Sequence, residues 1–211
     1  MRAFVQHKHD DSDKMVLQAL VPFKKLKEHA LFTSKANPND SSSNYKMLAE
    51  ESMEYYQRRI DNERLKDIQK FIIRAISDEQ NNVSLATLFP TSMIIAMPLE
   101  EEEMHVDGDE INIELKGNVF IVDGQHRLMA MLLLYKTLLD ENTIKTDRVN
   151  YMIKYLEDYK FNCTILVNFD LWEQGQVFIN VNFKQKPVNK SLYYEVFGSE
   201  YREDSQDDKR N

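Results

Sequence analysis

The spacing of hydrophobic residues divides the chain into short strand-like runs and longer helix-like segments. Apolar, β-branched runs predict strands at 15–23, ending near Pro22, at 92–97 and at 162–169. Segment 52–78 repeats apolar residues at helical spacing, which predicts one long amphipathic helix or two helices broken near Asn62. Two further short helices are predicted at 171–183 and 186–197.

An acidic stretch and a buried strand lie between these elements. The pair Asp107-Gly108 predicts a hairpin turn, and GNVFIV predicts a buried strand that leads into a helix apolar nearly all round. His105, Asp107 and Asp109 could together form a metal site. We favour an exposed hairpin whose charges protect strand edges from pairing, and no metal ligand is assigned.

Length, composition and charge limit the class of protein. A chain of 211 residues predicts a single domain at 1–197, with a surface-loop insertion near 35–47 and a flexible acidic and polar tail at 198–211. We expect a cytoplasmic protein with no membrane partner, because the sequence carries neither a membrane-length apolar run nor the apolar core of a secretory signal. A net charge of −8 argues against indiscriminate coating of nucleic acid.

Two single residues have a structural interpretation. Cys163, the one cysteine in the sequence, lies in the strand-like run FNCTILVNF and is predicted to be inert core packing. Trp172 is predicted to be a packed anchor rather than a base-stacking platform.

The stretch VFIVDGQHRLMAMLLLY, residues 119–135, places charged residues between a strand and a helix. We predict Asp123 at the helix N-cap and Gly124 in a tight turn. Gln125, His126 and Arg127 then occupy the first helical turn, where outward-pointing amides favour an anion. Arg and His at these positions leave two interpretations open: a phosphate site, or a capping Asp with three solvated polar neighbours.

The segment VDGQHRLMAM resembles the signature of DGQHR-domain proteins, a bacterial group that includes DndB-type regulators associated with DNA phosphorothioate modification. YYQRRI (55–60), LFPTSMIIAM (88–97) and VFINVNFKQKPVNKSL (177–192) are similar to other segments of that family, so the resemblance covers roughly residues 50–197. It implies an α/β to α+β fold like that of ParB and sulfiredoxin, with a small mixed sheet surrounded by helices.

The resemblance also implies a ligand. In ParB relatives the corresponding turn binds the phosphates of a nucleoside triphosphate, and by position Gly124, Gln125, His126 and Arg127 match it. The next ParB-type arginine falls on Met129 here, which disfavours CTP. DndB-type relatives are associated with ATP hydrolysis, so ATP is our first expectation, with Mg²⁺ as a candidate companion ion and other DNA-modification or defence proteins as expected partners.

Further polar residues in the matching segments are candidate ligand contacts. Each is a phosphate or base contact in one interpretation and a solvated position in the other: Gln57, Arg58, Asn182 and Lys186. The densest basic group available for DNA backbone contact is formed by Lys184, Lys186 and Lys190.

Two functions from different classes follow. The first is a nucleotide-binding module that acts in regulation or DNA association, with slow catalysis or none. The alternative is a metal-assisted phosphohydrolase, an NTPase or a nuclease, in which Asp123 or His126 positions a water molecule or Mg²⁺.

Overall fold

The computed structural model describes residues 1–8, 13–32, 60–83, 85, 88–100, 103 and 106–182. In chain order, the strands of this part are β1 (Arg2–Lys8), β2 (Met15–Pro22), β3 (Ala30–Leu31), β4 (Met93–Met97), β5 (Val106–Asp107), β6 (Glu110–Asn112), β7 (Val119–Asp123) and β8 (Lys160–Val167). The helices are α1 (Phe23–His29), α2 (Asn62–Gln80), α3 (Gln125–Leu139), α4 (Asp147–Asp158) and α5 (Leu171–Asn182). The predicted loop at 35–47, helix at 186–197 and tail at 198–211 lie outside the described residues.

The described strands form one eight-stranded mixed sheet in the order β3-β7-β4-β8-β2-β1-β6-β5. The pairs β3–β7 and β4–β8 are parallel, and the other neighbours are antiparallel. The mixed α/β class is confirmed, and the sheet is larger than the small one predicted. The more specific likeness to ParB and sulfiredoxin, and the domain bounds at 1–197, stay predictions.

The sheet lies between two layers of helices because its central strands carry apolar side chains on both faces. On one face β2 and β8 pack against residues of α1 to α4, and these side chains form the main core. On the other face Ile94, Ala96, Val122 and Leu166 pack against Phe178 and Ile179 of α5 and form the minor core. Burial on both faces explains why β4 reads as a continuous apolar run, MIIAM.

Pairing within the sheet places the start of β4 beside the end of β7. These two strands are antiparallel, with Ile94 opposite Asp123. On its other side β4 is parallel to β8, so that Met93 lies opposite Cys163 and Ile94 opposite Thr164. The residues that precede β4 therefore lie next to the turn that leads from β7 into α3.

Several predicted elements are confirmed, and their ends have physical causes. Within the described residues α2 begins at Asn62 because the Asp61 carboxylate caps it, accepting from the backbone N–H groups of Glu63 and Arg64 at 2.9 and 3.2 Å. The hairpin at Asp107-Gly108 joins β5 to β6, and Gly108 takes the φ of +60° that this turn needs.

Other elements were not predicted. In β1 most side chains are partly or fully exposed, so it lacks the apolar run that identifies β2. The seven-residue helix α1 follows Pro22 directly and buries only Phe23 and Leu26. The prediction for Trp172 is wrong, because this side chain is 42% exposed.

Two further predictions can be compared with the described residues. No helix there is long and apolar enough to cross a membrane. The same residues contain no group of three or more His, Cys, Asp or Glu side chains placed to bind a metal ion. His105 lies outside them.

Cys163 is fully buried in β8, as predicted, and burial raises the pKa of its thiol from 9.0 to about 12. We expect the native chain not to react with an aromatic disulfide reagent at about pH 8, because only the thiolate attacks. In concentrated guanidinium chloride the single thiol should react completely. Rapid modification in native buffer would contradict the burial of this strand.

Candidate functional site

The turn from β7 into α3 depends on a glycine. Gly124 is the N-cap of α3 and has a φ of +97°, in the left-handed region that disfavours side chains. A Cβ built on Gly124 would lie 2.7 Å from Met93 Cγ and 3.1 Å from Arg127 Nη2. The predicted tight turn at Gly124 is confirmed, and both the backbone and the neighbouring side chains require glycine there.

The prediction that Asp123 caps α3 is wrong. Asp123 is the last residue of β7 and Gly124 occupies the N-cap, and no side chain of the described residues caps this helix. A glycine in the left-handed conformation moves the start of the helix one residue further along the chain. The Asp123 carboxylate instead lies 3.5 Å from Arg127 Nη2 and forms an ion pair across the turn.

Arg127 connects the first turn of α3 to the residues before β4. Its Nη1 donates hydrogen bonds to the Thr91 carbonyl and hydroxyl oxygens, both at 2.8 Å, and its Nη2 donates to the Ser92 carbonyl at 3.0 Å. Its side chain is only 18% exposed, so the solvated interpretation does not apply to it. Burial lowers the pKa of Arg127 and the nearby Asp123 carboxylate raises it. The guanidinium stays charged and contacts mainly protein oxygens.

His126 connects the same turn to the start of α2. Its Nε2 accepts a hydrogen bond from the Asp61 backbone N–H at 3.1 Å, so Nε2 carries a lone pair in this arrangement. The Asp61 side chain caps α2 at the same time. The first turns of α2 and α3 therefore lie side by side.

A cavity of about 730 Å³ opens beside these two helix starts. Its lining comes from the start of α2, the residues just before β4, the β7–α3 turn, β8 and the end of α5. Of the predicted site residues, the cavity brings together Asp123, Gly124, Gln125, His126, Arg127 and Asn182. Gln57, Arg58, Lys184, Lys186 and Lys190 lie outside the described residues.

The cavity has a polar end and an apolar wall. The polar end contains the α3 turn, Arg64 and the hydroxyl-bearing Thr91 and Ser92. The apolar wall is formed by side chains of the minor core and of α5: Ile94, Val122, Phe178 and Val181. The arrangement suits a ligand with one charged and one flat, apolar part.

Sequence reasoning missed several lining residues. Arg64 was not singled out, although a cation in the first turn of a helix is unusual. Thr91 and Ser92 lie in the matching segment LFPTSMIIAM but were not assigned a role. Their carbonyl contacts with Arg127 join residues about 35 positions apart, which no local spacing reveals.

The family profile described as DndB, DNA-sulfur modification-associated, matches residues 6–205. The chain belongs to the DndB family. This confirms the resemblance carried by VDGQHRLMAM, and it makes the chain a protein associated with DNA phosphorothioation and its modification machinery. No curated protein and no solved structure matches the chain.

Proposed function

We propose that this DndB-family chain binds a nucleoside triphosphate, with ATP as the first candidate, in the cavity at the start of α3. In this proposal the bound nucleotide regulates the protein, or its association with DNA, within a DNA-modification system. The observation that carries the proposal is the two-sided lining of one cavity, polar at the helix starts and apolar at the sheet and α5. A nucleotide is a ligand with the same division, because its phosphates are charged and its base is flat.

Support for the phosphate end comes from the α3 turn. Among the described residues no side chain caps the helix at Gly124, and the positive end of its dipole faces the cavity. Gly124 also lets backbone approach the ligand closely, since no Cβ intervenes. The hydroxyls of Thr91, Ser92 and Thr164 supply further polar atoms on the same side.

Support for the base end comes from the apolar wall and the cavity size. Val122 and Phe178 are buried members of the minor core, and Val181 adds a further apolar side chain at the cavity. A volume of about 730 Å³ lies within the range of about 300–1,000 Å³ for small-molecule sites.

The preference for ATP over CTP rests on one position. Met129 stands where ParB relatives have a further arginine, and it is buried in the main core rather than directed at the cavity. The additional cation of a ParB-type CTP site is therefore lacking at this position.

The hydrolytic alternative has less support. Asp123 forms an ion pair with Arg127, and His126 Nε2 accepts from the Asp61 amide, so both predicted catalytic groups are engaged by protein. Metal-assisted hydrolysis of a triphosphate or of DNA stays a prediction, as does DNA contact through Lys184, Lys186 and Lys190.

The test is a thermal-shift panel of ATP, GTP, CTP, UTP, ADP and short duplex DNA, each with and without Mg²⁺. Near 100 times Kd, a ligand that binds only the folded chain stabilises it by about 2.7 kcal/mol. For a chain of this size that corresponds to a Tm increase of roughly 5–10 °C. We expect this increase with a triphosphate, and largest with ATP.

Two adjacent substitutions on α5 provide the matched control. Val181→Glu places a carboxylate in the apolar wall and should abolish the triphosphate shift. Asn180→Glu adds the same charge at an exposed neighbouring position and should preserve the shift. A wild-type chain with no triphosphate response, or equal responses of both variants, would sink the proposal. A salt-sensitive response to DNA alone would instead favour DNA binding through the lysines at 184–190.

A further inference from the structure

Two described arginines, Arg64 and Arg127, line the cavity, and their surroundings differ. Arg127 donates to the Thr91 and Ser92 oxygens and pairs with Asp123. Three protein groups thus surround a guanidinium that is mostly buried. A ligand that took over these contacts would leave backbone carbonyls without a donor, which is unfavourable.

Arg64 is the third residue of α2, is exposed, and lines the cavity near the start of α3. Among the described residues, the guanidinium of Arg64 makes no hydrogen bond or ion pair. The two carboxylates of the described lining are already engaged: that of Asp61 caps α2, and that of Asp123 pairs with Arg127.

Two electrostatic effects disfavour a cation at Arg64, and solvent weakens both because the residue is exposed. A cation in the first helical turn faces the positive end of the helix dipole. A small contribution from the charge of Arg64 also lowers the pKa of Arg127, so the two guanidinium groups repel each other weakly.

We propose that Arg64 is the side chain that binds the anionic group of the ligand, and that Arg127 is the structural anchor of the site. This inference rests on the proposed function and names the residue that carries its phosphate contact. The ligand's phosphate then lies between Arg64 on α2 and the start of α3. An anion at that place offsets both the repulsion between the arginines and the unfavourable dipole interaction of Arg64.

The experiment is calorimetric titration of ATP, with Mg²⁺, into the full chain and three variants: Arg64→Ala, Arg64→Lys and Arg74→Ala. We expect Arg64→Ala to raise Kd at least about tenfold, because a charge-assisted contact is lost. Arg64→Lys should recover part of the affinity, since lysine retains the charge but not the planar fork. Arg74 lies on the same helix, is 85% exposed and does not line the cavity, so Arg74→Ala should bind as the wild type does.

Thermal unfolding without ligand separates binding from folding. We expect Arg64→Ala to have a Tm equal to or above that of the wild type, because an unfavourable charge is removed. If the wild type binds ATP and Arg64→Ala binds within twofold of it, Arg64 is not the phosphate contact and the proposed function stands. If the wild type binds no triphosphate, the proposed function fails and the assignment of Arg64 fails with it.

Discussion

Replacement of Arg127 by Ala is expected to lower the free energy of unfolding by about 2–4 kcal/mol. The variant loses three hydrogen bonds to Thr91 and Ser92 and the ion pair with Asp123. It also leaves carbonyl groups at the start of β4 without their donor. Urea unfolding followed by circular dichroism should show a lower midpoint with an unchanged slope.

Two controls make the test of Arg127 specific. Arg127→Lys should restore less than half of the loss, because a single ammonium cannot donate in the planar geometry that spans the Thr91 and Ser92 oxygens. Arg74→Ala removes an arginine whose side chain is 85% exposed and should change stability by less than about 0.5 kcal/mol. An Arg127→Ala variant as stable as the Arg74→Ala variant would show that the anchor does not exist in solution.

Replacement of Gly124 by Ala is the second large effect, with an expected loss of about 2–3 kcal/mol. Alanine must adopt a φ of +97°, and its Cβ would lie 2.7 Å from Cγ of the buried Met93. Either the turn or the Met93 side chain must shift. Denaturant unfolding measures the loss, and thermal shift with ATP should also show weakened binding because the first turn of α3 moves.

Gly117→Ala is the matched control for Gly124→Ala. Gly117 has a φ of +62°, and a Cβ added there would meet nothing within 4 Å. This variant should therefore show backbone strain alone, about 1 kcal/mol. Equal losses of stability at the two glycines would mean that the Met93 side chain moves aside at little cost and that close packing does not restrict the turn.

Burial explains which elements could be predicted from the sequence. The strands β2, β4 and β8 are apolar and β-branched because the main core requires it, and their signals are strong. β1 carries mostly exposed side chains, and the two residues of β3 are too few to form a pattern. Both β1 and β3 are strands because they pair with neighbouring strands, and composition does not encode that pairing.

The sequence predicted several of the residues that line the cavity, but not the contacts that they make. The sequence predicted Asp123 and Arg127 as site residues because they lie between a strand and a helix. It could not show that a left-handed Gly124 displaces the cap, because local spacing does not determine φ. Nor could it show that Arg127 turns toward Thr91 and Ser92, a contact made by the antiparallel pairing of β4 with β7. The role of Arg64 depends on where α2 lies relative to α3.

The hydrogen bond from the Asp61 amide to His126 Nε2 has a thermodynamic consequence. It needs the Nε2 lone pair, so it is lost when the imidazole gains a second proton. In its neutral form the imidazole therefore joins the start of α2 to the first turn of α3. Coupling of this kind is reciprocal. For the proposed nucleotide, a partner that binds the beginning of α2 and alters nucleotide affinity must have its own affinity altered by the same factor when the nucleotide is bound.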